Sequence, residues 1–393
     1  MGSKRTKISF ANTSIAYAHY SNRKLKKALG VFQLIGNSFL TNIGTTLTKI
    51  AIAIHFPIGP FVKPIIFEQF CGGESLKECI PTINLLQQRK VDVSLNYGVE
   101  IKNSARDFER TLSKTKGAIE FASRKQSTNV VCSKVSSIGY FDILHKRQEG
   151  KELTRKEDQA FLRMKSRMHE ICSYAHEHKV AVYWDAEESW VQDEIDILVK
   201  EFMAEFNKES AIVFNTYQLY RSDKLSCLKK DIEEAKKEKY ILGVKLVRGA
   251  YIEKENKWAE DHEIPSVIHE SKEAVDKDYN EGMRICLENV DRVSVCIASH
   301  NEYSNQLATL IMNELEIPPN HQHVVFSQLY GMGDFISFNL ADKGYNSCKY
   351  LPYGPVREVI PYLMRRAQEN SSVDGQMSRE LTMLKKEIKR RGI

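Results

Sequence analysis

Eight short β-branched runs, each followed by a charged stretch of helical period, constrain this chain more than any other feature. They read "VDVSLNYG" (91–98), "NVVCSKVS" (129–136), "VAVYWDAE" (180–187), "AIVFNTYQ" (211–218), "ILGVKLVRGAY" (241–251), "VSVCIASHN" (293–301), "HVVFSQLYGMG" (323–333) and "YNSCKYLPYG" (345–354). Between them lie helical candidates such as "SRMHEICSYAHEH", "DEIDILVKEFMAEFN" and "LSCLKKDIEEAKKE". Eight strand–helix alternations predict an α/β fold, a closed parallel (βα)8 TIM barrel. An open doubly wound sheet is the competitor. It calls for a Gly-rich fingerprint after the first strand, where "NYGVEIKN" stands instead. "GMGDF" lacks the third glycine and follows a late run. Neither a P-loop nor a GxSxG elbow is present. Residues 1–88 lack strand alternation and read as a helical N-terminal arm, with the barrel and a basic C-terminal helix over 89–393.

Charge narrows the function classes. No acid precedes Glu68, so residues 1–67 carry +9 and the remainder −3. The main body is therefore no nucleic-acid platform, whereas a basic amphipathic arm suits an anionic membrane surface. "IAIAIHFPIGPFV" is too short and too broken to span a bilayer. An acid-free start and the opening "MGSKRT" touch the transit-peptide and myristoylation patterns only weakly. Eight cysteines without a CxxC pair read as reduced, mostly buried thiols. The pairs His176/His178 and His321/His323 have no third ligand spaced to join them, so no metal is expected.

In such barrels the active site gathers at the C-terminal strand ends. Those ends carry Lys134, Asp185, Glu187, Asn215, Lys245, Arg248, Ser299, His300, Gln328 and Tyr350. Cations and carboxylates in that number suit an anionic small molecule together with a phosphate-bearing cofactor. After the eighth run, "YGPVREVIPYLMRRAQEN" makes a helix with an apolar stripe of Val356, Val359, Ile360, Leu363, Met364 and Ala367. Tyr362, Arg365, Arg366 and Glu369 share another arc. It reads either as a solvated basic face or as a carboxylate clamp, because guanidinium forks match carboxylate oxygens.

"WDAE" (184–187), "NTYQ" (215–218), "KLVRGAY" (245–251), "ASHN" (298–301), "QLYGMGD" (328–334) and "YGPVREVIPYLMRRAQENSSV" (353–373) resemble the proline dehydrogenase family, in family order. The resemblance implies a distorted (βα)8 barrel holding FAD, with the eighth helix over its mouth. It implies oxidation of L-proline to Δ1-pyrroline-5-carboxylate, the first step of proline catabolism to glutamate, with electrons passed to a membrane quinone. By the same match, Arg365 and Arg366 grip the substrate carboxylate with Lys134 as cationic partner. Tyr350, Tyr362 and Leu246 pack around the pyrrolidine ring. Asp185, Lys245 and Tyr350 stand at catalytic positions. Ala186, Asn215, Lys245, Val247, Arg248, Gly249, Ala250, Ser299, His300, Gln328 and Glu369 match cofactor-binding positions.

Asn215 and Lys245 replace the Gln and Arg of many bacterial members, and Asn96 stands where an Asp is usual, with Glu100 as a substitute. No aldehyde dehydrogenase domain follows the barrel, so a separate pyrroline-5-carboxylate dehydrogenase would take the product. The expected location is cytoplasmic and peripheral to the inner membrane, the mitochondrial one in a eukaryote. Four alternatives remain: a hydroxyproline dehydrogenase, a methylenetetrahydrofolate reductase, a Schiff-base aldolase using Lys134 or Lys245, and a helical membrane-surface scaffold.

Overall fold

A computed structural model describes residues 8–36, 63–98, 103–125, 128–372 and 376–393, the side chains of 365–377 excepted. All eight runs are strands: β1 Val91–Tyr97, β2 Val130–Ser133, β3 Ala181–Trp184, β4 Val213–Gln218, β5 Leu242–Val247, β6 Val293–Ala298, β7 Val324–Leu329 and β8 Ser347–Tyr353. They form a closed barrel in chain order. β1 pairs in parallel with β8, from Val91 opposite Ser347 to Tyr97 opposite Tyr353. An open sheet leaves its outer strands unpaired, so this pairing rejects the doubly wound competitor.

Among the described residues the α-helices of four residues or more, in chain order, are α1 Thr13–Ala16, α2 Asn22–Ile35, α3 Leu76–Gln88, α4 Ala105–Ser123, α5 Phe141–Gln148, α6 Arg155–His178 and α7 Ser189–Phe206. They continue with α8 Lys224–Glu238, α9 Ile252–Asp261, α10 Lys272–Glu288, α11 Glu302–Glu314, α12 Asp334–Asp342, α13 Val356–Ser372 and α14 Gln376–Arg391. Local chemistry sets their ends. Ser21, Ser104 and Ser271 each accept the N–H of the third residue onward, and Thr154 and Glu157 form a reciprocal capping box. Lys179 and Lys239 stop α6 and α8 in the left-handed region, at φ 54° and 59°.

Two compact units emerge from the contacts. Residues 101–299 and 307–326 form one, and 1–100, 300–306 and 327–393 the other. In the first, strand alternation sorts the side chains. Cys132, Tyr183 and Phe214 are register neighbours, as are Thr216, Lys245 and Cys296. A period of two puts them on one face, where the Tyr183 and Phe214 rings meet at 4.4 Å. The alternate residues face the helices: Tyr217 Oη donates to Asp231 of α8 at 2.8 Å, and Asn215 Nδ2 to Asp196 of α7 at 2.8 Å. The core-facing residues of α6 and α7 include Met164, Met168, Ile171, Ile195, Leu198 and Phe202, all buried.

The second unit pairs β1 with β8 and packs α14 against α2. Met383 and Leu384 of α14, and Leu25, Ala28 and Phe32 of α2, are buried. On α13 four residues of the expected stripe, Val356, Val359, Ile360 and Leu363, are buried, Met364 is half-buried, and the Ala367 side chain lies outside the described residues. All eight cysteines are free thiols, and only Cys227 is partly exposed.

Candidate active site

At the strand ends of the first unit, β3 and β5 bring together an ion pair between buried Lys245 and half-buried Asp185. Lys245 Nζ lies 2.5 Å from Asp185 Oδ1. Burial opposes the lysine's charge, but the Asp185 carboxylate outweighs it and holds the amine above the ordinary lysine range. Leu246, one residue on, belongs to the opposite face of β5 and is fully buried.

Beyond β2, Lys134 Nζ donates to the Tyr251 hydroxyl at 2.8 Å. Here too burial disfavours the charge, while Tyr251, Glu187 and Glu188 together raise the amine well above its usual value. Glu187 accepts from the Ser136 backbone N–H at 2.9 Å and from the Ser136 hydroxyl. Its main chain is fixed as well: the N–H donates to Gln192 Oε1 at 2.6 Å, and the carbonyl accepts from Gln218 Nε2 at 2.7 Å. Burial pushes its carboxyl above the ordinary range.

The β5 end continues into "VRGAY". Arg248 Nε donates to Asp276 Oδ1 at 2.7 Å and Nη1 to Ser299 Oγ at 2.8 Å, with the guanidinium 4.2 Å from the Tyr279 ring. Gly249 has φ 132°, and a Cβ there would come within 2.4–2.5 Å of the Tyr220 ring. Only glycine lets this turn bring its backbone so near the aromatic wall. Ala186 is buried beside Asp185, and Val247 and Ala250 flank the turn.

In the second unit, His300 Nε2 accepts from the Leu329 N–H at 3.3 Å, which leaves the proton of the neutral ring on Nδ1. Gln328 is buried and accepts from the Ser337 hydroxyl at 2.7 Å. Tyr350 and Tyr362 are half-buried, and the Tyr350 carbonyl accepts from the Tyr330 N–H at 2.9 Å. Arg365, Arg366 and Glu369 fall on α13, but their side chains lie outside the described residues, as does all of Glu100. Asn96 sits opposite Pro352 in the β1–β8 pairing.

The first unit thus gathers Lys134, Asp185, Lys245, Arg248 and Ser299 at strand ends, whereas Asn215 is engaged by α7 and by the Thr216 N–H. Sequence reasoning missed Tyr251 as the partner of Lys134, and Gln218 and Ser136 as the supports of Glu187. Their signals were present in "GAY", in the last letter of "NTYQ" and in "KVSS".

These donors fit a flavin dinucleotide. Lys245, kept charged by Asp185, suits an electron-rich ring edge, the Arg248 guanidinium suits a pyrophosphate, Ser299 offers a hydroxyl, and the Gly249 turn exposes backbone at close range. No group of three or more His, Cys, Asp and Glu suited to a metal occurs among the described residues.

The sequence profile of the proline dehydrogenase family matches residues 79–379. The carbapenem antibiotics biosynthesis protein CarD of Pectobacterium carotovorum subsp. carotovorum is 33% identical over 82% of this chain and 83% of its own length. Mitochondrial proline dehydrogenase 1 of Dictyostelium discoideum is 28% identical over 97% of this chain and 74% of its own. The human mitochondrial proline dehydrogenase 1 is 39% identical over 61% of this chain and 40% of its own length. Among solved structures, proline utilization A from Bdellovibrio bacteriovorus, inactivated by N-propargylglycine, superposes with a TM-score of 0.73 at 22% identity, covering 94% of this chain. This chain spans only 40% of that protein's length. The barrel, its strand-end chemistry and a family match over most of the sequence agree, and the chain belongs to the proline dehydrogenase family.

Proposed function

We infer that the protein oxidises L-proline to Δ1-pyrroline-5-carboxylate with FAD as its resident cofactor, delivering the electrons to a membrane quinone. Bound FAD supplies the hydride-accepting chemistry. The remaining work falls to the chain: binding the amino acid by its carboxylate, orienting the ring carbon distant from that group, and excluding water.

The observation that carries this reading is two charged lysines at strand ends of the first unit, half-buried Lys134 after β2 and buried Lys245 on β5. Lys134 is suited to a substrate carboxylate, with Tyr251 steering its amine. Lys245 is suited to an anionic flavin edge, its charge maintained by Asp185. By their match to the family, Arg365 and Arg366 would take the carboxylate in two forks, and Tyr350 and Tyr362 would wall the ring. Ala186, Val247, Arg248, Gly249, Ala250, Ser299, His300, Gln328 and Glu369 would hold the dinucleotide. Asn215 and Leu246 would support that set from the helix side of the sheet.

The aldolase alternative loses ground on the same facts. A Schiff-base lysine must give up its proton near neutral pH, and both amines are held above the ordinary lysine range. Peripheral membrane association is supported by exposed Arg23 and Lys26 on α2 and exposed Lys385 and Lys389 on α14, two helices that pack together. No helix among the described residues is long and apolar enough to cross a membrane.

The deciding experiment is the visible spectrum of purified protein with and without L-proline. A flavin band that bleaches on adding proline is expected; a colourless protein, or a band indifferent to proline, overturns the reading.

A further inference from the structure

The loop between β7 and α12, "QLYGMGD", is gripped from behind by segments far apart in sequence, all within one compact unit. Gly333 caps α12 at φ 61°, its carbonyl accepting from the Ile336 and Ser337 N–H groups at 2.9 and 3.0 Å. Its own N–H points away from that helix and donates to Glu380 Oε1 of α14. The next residue, Asp334, accepts from Tyr20 Oη at 2.9 Å and pairs with Lys349 Nζ at 2.8 Å. Lys349, with no exposed side chain, also donates to the Leu329 and Met332 carbonyls. The loop is therefore tied to the N-terminal segment, to β8 and to α14 at once.

What the loop encloses gives the ties their meaning. His300 Nε2 accepts from the Leu329 N–H, and a Cβ on Gly333 would stand 2.9 Å from His300 Nδ1 and 3.1 Å from Gln328 Cγ. Both nitrogen edges of the imidazole are thus bounded by this loop. A displacement of the Gly333 peptide by a few tenths of an ångström moves the wall against the ring.

We propose that Glu380 is a positioning residue: through its acceptor oxygen on the Gly333 N–H, the C-terminal helix fixes the loop that sets the His300 imidazole for flavin binding. The proposal rests on His300 serving the flavin. It assigns to α14, which follows the helix after the eighth strand, a role in cofactor retention. Glu380 is buried, and a carboxylate so placed needs a reason beyond solubility. Removing it leaves a buried backbone N–H unsatisfied, a penalty that corresponds to about tenfold in an equilibrium constant.

The test titrates FAD into full-length apoprotein of wild type, Glu380→Ala, Glu380→Gln and Tyr20→Phe, following flavin fluorescence, with the thermal midpoint of each apoprotein measured alongside. Glutamine keeps a neutral acceptor oxygen. The expected result is an FAD Kd raised about tenfold in Glu380→Ala, restored to within about twofold in Glu380→Gln. Faster amide exchange at residues 331–336 of the alanine holoprotein should accompany the loss. An alanine variant with a lowered midpoint but wild-type Kd reduces Glu380 to a stabilising contact and overturns the proposal. Equal weakening by Ala and Gln overturns it too, since the acceptor would not matter. Should Glu380→Ala fail to fold, Tyr20→Phe decides: it loses one hydroxyl from Asp334 and is expected to weaken FAD several-fold, and a wild-type Kd there refutes the idea. A wild-type protein that binds no FAD at all fails the functional reading instead, a result separable from the others.

Discussion

Lys245 and Asp185 form a salt bridge of 2.5 Å with 9% and 14% of their side chains exposed, at the ends of strands two apart in the barrel. Each supplies the charge that makes the other tolerable in that place. Replacing Lys245 by Met strands a largely buried carboxylate, at a cost of up to about 3 kcal/mol. The double variant Lys245→Met/Asp185→Asn should recover most of that stability, because it removes both charges. Thermal unfolding of the two proteins checks this: additive losses would show the pair to be uncoupled.

Arg365→Met and Arg366→Met should each raise the KM for proline steeply while bound flavin stays at the wild-type level. Losing one fork of a desolvated carboxylate contact costs ~2–5 kcal/mol. Steady-state kinetics with flavin quantified per chain is the measurement. A wild-type KM in both variants removes the clamp.

Tyr350 should crowd a hydroxyl on ring carbon 4, so kcat/KM for L-proline should exceed that for 4-hydroxyproline, and Tyr350→Ser should narrow the gap. Comparable values for the two substrates in the wild type would refute the steric role.

Glu380 gives a stability profile with a definite sign. Burial raises its carboxyl from 4.5 to about 7, so between those values the folded protein binds more protons than the unfolded one. The stability it contributes is complete below pH 4.5 and is lost as pH rises towards 7. Across that window the loss runs at ~1.4 kcal/mol per pH unit at most. Chemical denaturation over the same range should show the decline in wild type and a flatter profile in Glu380→Gln. Equal slopes for the two proteins would contradict it.

Charge reversal at Lys26, Lys385 and Lys389 should weaken sedimentation with anionic vesicles and spare flavin content. Each basic residue near such a surface is worth about 1 kcal/mol. Binding that survives the triple reversal to Glu would place the membrane contact elsewhere.

Much of the barrel was legible because its signal is repetitive. Eight β-branched runs with helical stretches between them admit few architectures, and every run became a strand. Strand-end chemistry was legible for Lys134, Asp185, Lys245 and Arg248, since polar residues that terminate buried runs need partners. What stayed hidden depends on direction and distance. Asn215 looks like a strand-end donor in one dimension, but the pleat turns it toward Asp196. Glu380 sits in a basic tail that reads as solvated, and its burial arises from contact with a glycine 47 residues away. Tyr251 meets Lys134 across 117 residues, a separation that local pattern cannot report.

Of the eight thiols, seven are enclosed, and burial pushes those of Cys79 and Cys172 up to about 12. A maleimide dye added to native protein should therefore enter at Cys227 alone, on helix α8, while denatured chains take up label at all eight. The fold has in effect reserved one attachment point for a fluorophore, so its position could be tracked without engineering away any other sulfur.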